Sequence, residues 1–282
     1  MPTVELPQGR VHYRVAGPAD SAHPPVVFIH GLLVNSELWS GAAWALAGQG
    51  VRSYAPDLPL GSHPTALSDD ADVSPRGVAR LILDFLEALD LRDVTLVGND
   101  TGGALCQFVI DTDASRIGRL VLTNCDAFEM FPPPPFGALV AFGRRPGRLA
   151  FAMKGMRPKL LRHSALGYGG LVTTPLDAEL TARWARPCQT DKAIRRDTAR
   201  FLKHVDKRDL LDVGSRLGAF EKPVLLVWGD ADPFFKPSFA ERLRDAFADA
   251  KLVAVEGGRT FIPLDYPDRL ADEIATFAGA RR

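Results

Sequence analysis

The run Val26, Val27, Phe28, Ile29 contains no polar residue. A strand apolar on both faces belongs inside a parallel sheet covered by helices on each side. Other short β-rich runs predict further strands over 11–15, 51–55, 94–97, 120–123, 224–228 and 252–255. Between them the apolar residues recur at the helical period. Ser74-Pro75 opens a helix whose Val78, Leu81, Ile82, Phe85 and Leu89 share one face. Other helices are predicted over 37–47, with Asn35 or Ser36 as N-cap, and over 101–110, 238–247 and 268–277. Near Asp126 the rhythm changes, and from 128 to about 217 the chain is helical, interrupted by Pro and Gly and rich in arginine. The alternation predicts an α/β fold with a doubly wound, mostly parallel sheet and right-handed crossovers. Residues 1–127 and 218–282 form its core. The insertion, 128–217, forms a helical cap over the carboxyl edge, where such sheets bind ligands.

Composition narrows the function without naming it. The 282 residues carry 34 Lys plus Arg against 34 Asp plus Glu, a formal net charge of zero. That balance gives no electrostatic case for a nucleic-acid partner. No apolar run approaches the roughly 18 residues of a membrane span, so no membrane partner is expected. The start, Met-Pro-Thr-Val-Glu-Leu, has no basic region followed by an apolar stretch, and the three cysteines are widely spaced. Both observations fit a cytoplasmic protein with reduced thiols. The expected partner is a small-molecule substrate or ligand, with no metal and no organic cofactor; a homodimer is left open.

The chemistry concentrates at Val97-Gly98-Asn99-Asp100-Thr101-Gly102-Gly103, between a predicted strand and a predicted helix. This text resembles the nucleophile elbow of the α/β-hydrolase fold, with Asp100 where serine is more usual. Glycines flank such a turn because side chains there would collide. An aspartate at this position resembles the nucleophile of haloalkane dehalogenases and epoxide hydrolases, exposed and kept ionised by the helix that follows. The resemblance continues in Phe28-Ile29-His30-Gly31-Leu32, and it implies that the Leu32 and Thr101 amides form an oxyanion hole. His30 is expected to pack structurally. For the supporting acid two placements stay open: Asp232 in Trp228-Gly229-Asp230-Ala231-Asp232-Pro233, which is favoured, and Asp126 in Asn124-Cys125-Asp126-Ala127.

The pattern breaks at its third member. The family writes histidine before Phe-Ile-Pro, whereas this chain has Thr260-Phe261-Ile262-Pro263 and no histidine after His204. Attack by Asp100 on an alkyl carbon needs only a desolvated carboxylate and a good leaving group. Hydrolysis of the resulting ester needs a base, and threonine cannot supply one near neutral pH. Three outcomes stay open. His63, His163 or His204 substitutes as the base; Asp100 serves as acid or base in a lyase, isomerase or cyclase; or the site only binds a ligand. Thr101 stands where dehalogenases place a halide-binding tryptophan. Tyr168 is the only tyrosine of the cap, where epoxide hydrolases use two. Between Phe131 and Leu176 there is no acidic residue, while Arg144, Arg145, Arg148, Lys154, Arg157, Lys159 and Arg162 lie inside. These cations read as a solvated face or as a lid that steers an anion or meets an acidic partner.

Overall fold

The computed structural model describes residues 1–279. Eight strands form one sheet: β1 (Thr3–Leu6), β2 (Gly9–Ala16), β3 (Val26–Ile29), β4 (Ser53–Pro56), β5 (Val94–Asp100), β6 (Ile117–Cys125), β7 (Val224–Gly229) and β8 (Ala250–Val255). Their order is β1-β2-β4-β3-β5-β6-β7-β8. The first two are antiparallel additions, and every pairing from β4 to β8 is parallel. The sequence pattern missed β1, a four-residue edge strand held by its hairpin with β2. It has too little apolar repetition to be seen alone.

The helices are α1 (Ser40–Gly48), α2 (Pro75–Ala88) and α3 (Thr101–Thr112), then α4 (Phe136–Gly143), α5 (Pro146–Gly155), α6 (Lys159–Arg162), α7 (Ala178–Thr190), α8 (Lys192–Lys203) and α9 (Lys207–Gly214) between β6 and β7. After β7 come α10 (Pro237–Ala246), α11 (Ile262–Asp265) and α12 (Pro267–Phe277). The helix expected over 37–47 is divided, with a 3-10 turn at Ser36–Trp39 preceding α1. Asn35 caps that turn by accepting from the Glu37 N–H, and the same oxygen accepts from Trp184 Nε1 at 2.9 Å. Ser74 caps α2 as its sequence implied, accepting from the Gly77 N–H at 3.1 Å.

Alternation along β3 explains its unbroken hydrophobicity. Val27 and Ile29 join the core beneath α2 and α3, with Ile82, Phe85, Leu105 and Phe108. Val26 and Phe28 face the other way, into the core beneath α1 and α12, with Leu46, Leu270 and Ile274. Each fully buried side chain of this kind contributes about 1.5–3 kcal/mol. Such burial on both faces holds the carboxyl ends of β3, β5, β6 and β7 in register, and the candidate site residues leave the sheet there.

Candidate active site

Asp100 ends β5 and precedes α3 with φ 53° and ψ −132°, a backbone conformation that favours glycine. Its surroundings impose the turn. A Cβ on Gly102 would overlap the Ile29 carbonyl oxygen, and one on Gly98 would come within 2.7 Å of Cys106 Sγ. Gly31 has the same role toward the carboxylate, because a side chain there would occupy the space of Asp100 Oδ2. The backbone N–H of Leu32 donates to Asp100 Oδ2 at 3.2 Å, and the Thr101 N–H also bonds this carboxylate.

The sequence suggested an exposed carboxylate kept acidic by its helix. Instead Asp100 is half-buried, open only toward an internal cavity, and its pKa is pushed up to about 6. Burial is the main cause. The Thr101 and Leu32 amides oppose it, and the Asp232 charge adds to it. Desolvation therefore outweighs the helix terminus, yet Asp100 remains mostly ionised at neutral pH.

Asp232 and Thr260 meet directly. The Thr260 hydroxyl donates to Asp232 Oδ2 at 2.8 Å, and Asn124 Nδ2 donates to the same oxygen at 2.8 Å. Asp232 Oδ1 accepts from the Phe234 and Phe235 N–H groups at 2.8 and 3.0 Å. Even so, burial holds the Asp232 carboxyl above its ordinary value. Thr260 is fully buried, and its carbonyl accepts from Asn99 Nδ2 at 2.6 Å. Asn124 and Asn99, which the sequence reading had not singled out, thus brace this pair.

Asp126 points elsewhere. Its Oδ2 accepts from the Thr101 hydroxyl at 3.1 Å, and its backbone N–H reaches the Asp100 carbonyl at 3.3 Å. Gln107 Nε2 holds its carbonyl at 2.8 Å. Of the two acid placements, Asp232 is the one bonded to Thr260; Asp126 stands beside the elbow instead. Its Oδ1 is buried without a hydrogen-bond partner among the described residues. Burial, reinforced by the Asp100 charge, raises the Asp126 pKa well above the carboxylate range.

Asp100, Thr101, Asp126 and Leu32 line one cavity of about 190 Å³. Its remaining wall is apolar, built from Leu33 and from Phe136, Val140, Leu149, Met153 and Leu202 of the helices between β6 and β7. Sequence alone carried no signal for Leu149 or Met153, because a lining residue and a packing residue share the same helical period. A larger open groove of about 700 Å³ along α1 and β2 contains none of these carboxylates.

None of the candidate substitute bases lines the cavity. His63 is buried, with Nε2 3.5 Å from Asp197 Oδ2 and Nδ1 accepting from the Gly61 N–H at 3.3 Å. It ties the loop after β4 to α8. His163 Nε2 lies 2.8 Å from the Thr181 hydroxyl, and His204 is exposed, with Nδ1 2.9 Å from the Arg200 carbonyl. His30 has both nitrogens engaged: Nε2 accepts from the Leu58 N–H at 2.8 Å, so Nδ1 donates to the Gly31 carbonyl at 2.9 Å. Tyr168 borders the cavity, but its hydroxyl donates to the Leu33 carbonyl at 2.6 Å. Among the described residues, no three His, Cys, Asp or Glu side chains are grouped to hold a metal ion.

A family model for the α/β-hydrolase fold matches residues 24–267. The chain belongs to that family. Haloalkane dehalogenase 2 of Mycobacterium tuberculosis is 30% identical over 281 residues, covering 95% of this chain and 91% of that protein. The haloalkane dehalogenase of Mycolicibacterium paratuberculosis is 33% identical over 137 residues, 48% of this chain and 45% of that protein. Among solved structures, haloalkane dehalogenase DbeA from Bradyrhizobium elkani superposes with a TM-score of 0.79 at 19% identity, covering 99% and 98% of the two chains. An α/β-hydrolase fold protein from Burkholderia ambifaria gives 0.79 at 23% identity, covering 98% and 97%. These members share the parallel sheet and its flanking helices, and the chain resembles the haloalkane dehalogenases within the family.

Proposed function

We propose that this α/β-hydrolase fold protein is an enzyme acting on a small, largely apolar organic molecule through the Asp100 carboxylate. The observation that carries the reading is the placement of Asp100 on the wall of an apolar cavity, with the Leu32 and Thr101 amides on its carboxylate. The Leu32 amide holds Oδ2, leaving Oδ1 to attack an electrophilic carbon and displace its leaving group, which departs with the bonding pair. When the ester forms, the same amides stabilise its carbonyl oxygen. The helices between β6 and β7 serve as a cap that keeps water from the carboxylate, as their share of the cavity wall suggests. The second half of a hydrolytic cycle lacks its usual base, since Asp232 meets a threonine hydroxyl rather than an imidazole.

The test is intact-mass spectrometry after exposure to a primary bromoalkane. A persistent alkyl adduct mapping to Asp100, absent in Asp100→Asn, is the expected result. An unmodified mass under conditions where small thiols are alkylated would refute the reading.

A second reading rests on Asp126. Burial and the Asp100 charge raise its pKa well above the ordinary carboxylate value, which favours its protonated form beside Asp100, and two carboxyl groups in different environments can act as acid and base. The partnerless Oδ1 would carry the transferable proton. This pair suits a lyase, isomerase or cyclase, in which proton transfer replaces ester hydrolysis. Deuterium exchange into a bound small ketone, lost in Asp126→Asn, would favour it; no exchange at any pH would remove it.

A further inference from the structure

The span from Leu139 to Leu166 departs from the rest of the surface in two ways at once. Nine large apolar side chains are exposed among the described residues, and six of them lie in this span: Leu139, Phe142, Phe151, Leu160, Leu161 and Leu166. Phe151 is 71% exposed, Leu160 81% and Leu166 68%, values at which a side chain gains little from the protein's own packing. The same span holds the exposed cations Arg145, Arg148, Lys154, Arg157 and Lys159, and it holds no carboxylate. None of these five forms an ion pair with a carboxylate of the described residues.

The two other cations of this segment have local work. Arg162 is buried and bonds the carbonyls of Met156, Arg157 and Ala178. Arg144 bonds the Leu202 and Val205 carbonyls and lies near Asp206. The flanking carboxylates that act on this segment are thus Asp206, toward Arg144, and Asp177, toward His163. Neither pairs with the five exposed cations.

The pieces are also continuous in space. The Phe142 and Phe151 rings are 6.5 Å apart, and the Arg148 guanidinium sits 5.7 Å from the Phe142 ring centre. Leu139 and Leu166 are exposed and also line the cavity that contains Asp100, so the exposed apolar face is continuous with the cavity wall there.

We propose that the outer face of α4, α5 and α6 is a peripheral membrane-binding surface that docks on anionic phospholipid. Exposed aromatic and leucine side chains interleaved with unpaired cations are what an interfacial helix presents to a headgroup layer. The apolar side chains enter the acyl boundary while Arg and Lys meet lipid phosphates, each such cation adding about a factor of five in affinity. A second copy of the chain is a poorer occupant, because a face with five cations and no anion repels itself. The docking is peripheral: no described helix is long and apolar enough to cross a bilayer. It revises the expectation of no membrane partner, which rested on the lack of a long apolar run. The cavity wall at Leu139 and Leu166 would then face the bilayer, where small apolar molecules concentrate.

Flotation with phosphatidylcholine vesicles, with and without phosphatidylglycerol, tests this on the intact protein. Binding to the phosphatidylglycerol vesicles, weak or absent on pure phosphatidylcholine and weakened by salt, is expected. Reversing two cations (Arg148→Glu with Lys154→Glu) should lower binding by about tenfold or more. Removing two apolar anchors (Phe151→Ser with Leu160→Ser) should weaken it independently of salt. Phe151 and Leu160 are exposed and do not line the cavity, so unchanged thermal melting is the control for folding. Absence of vesicle binding at low salt overturns the proposal, as does binding that both double variants retain. Concentration-dependent dimerisation abolished by Phe151→Ser and Leu160→Ser, without lipid binding, would assign the face to a second copy instead. The measurement reads lipid affinity alone, so it is independent of whether Asp100 is a nucleophile.

Discussion

Replacing Asp100 with asparagine removes a charge that the fold holds against its own solvation preference. The Asp100 pKa moves from 3.8 to about 6 on folding, chiefly through burial. At about 1.4 kcal/mol per pKa unit, the ionised form destabilises the folded state by at most about 3 kcal/mol. Asp100 keeps some surface toward the cavity, and asparagine accepts less well from the Leu32 and Thr101 amides, so a net gain of about 1–3 kcal/mol is expected. For a chain of this size that is about 2–6 °C in Tm.

The sign follows from linkage. Below the unfolded-state pKa both states are protonated, so the variant and the parent differ little. As pH rises through 4 to 6 the unfolded chain ionises first, and the parent progressively loses stability relative to Asp100→Asn. Above the folded-state value the difference reaches a plateau. Thermal or urea unfolding of both proteins from pH 4 to 8 measures it. A stability difference that does not change with pH, or an asparagine variant less stable than the parent at pH 7, would refute the reasoning.

The remaining expectations concern the groups around Asp100. The Asp126 pKa is also raised by burial and by the Asp100 charge, so Asp126→Asn should stabilise the fold above the unfolded-state pKa and lose that gain as pH falls below it, read by the same unfolding series. In the same variant, alkylation of Asp100 by a bromoalkane should persist, while opening of a terminal epoxide should fall by about 100-fold if Asp126 supplies the proton; parallel mass-spectrometric time courses compare the two. Thr260→Ala takes one of four donors from Asp232 and should destabilise by about 1–2 kcal/mol in urea unfolding. Thr260→His should shorten the lifetime of an Asp100 alkyl ester by placing a base next to Asp232, read by decay of the adduct mass. Added sodium bromide should not slow alkylation, because no cation lines the cavity to hold a halide; clear competitive inhibition would contradict that view.

Much of the fold was legible because its signals are local. Continuous apolar runs at β3 and β7 and a helical period in α2 report burial on two faces or one. The elbow was legible for the same reason, since Gly98, Asp100 and Gly102 must occur together at one tight turn. What stayed hidden depends on residues far apart in the chain. Asp126 was a candidate partner of the triad on position alone, and only its contact with Thr101 separates it from Asp232. His63 looked available until the fold brought Asp197, 134 positions later, beside it. Likewise, the apolar side chains of α4 to α6 have the same composition whether they pack inward or face solvent. Their exposure became visible only when α7 and α8 were seen to cover one side of these helices and leave the other open.

The three carboxyl groups around the elbow share a further property. Asp100, Asp126 and Asp232 are all raised by burial, and no Arg, Lys or His lines the cavity that Asp100 and Asp126 border. In a triad with histidine, an imidazolium offsets the charge of the supporting acid as the reaction proceeds. Here Asp232 faces a neutral hydroxyl, and nothing replaces that positive charge. An anion released beside Asp100 meets no cation in the cavity wall, and the Asp232 charge already acts on that position. A reaction in which the leaving atom takes a proton as it departs avoids that cost, and on the proposed second reading Asp126, whose pKa burial raises, provides it. On the proposed reading, Thr260 against Asp232 and Asp126 beside the elbow act in one direction, toward chemistry in which the leaving atom departs as a neutral group.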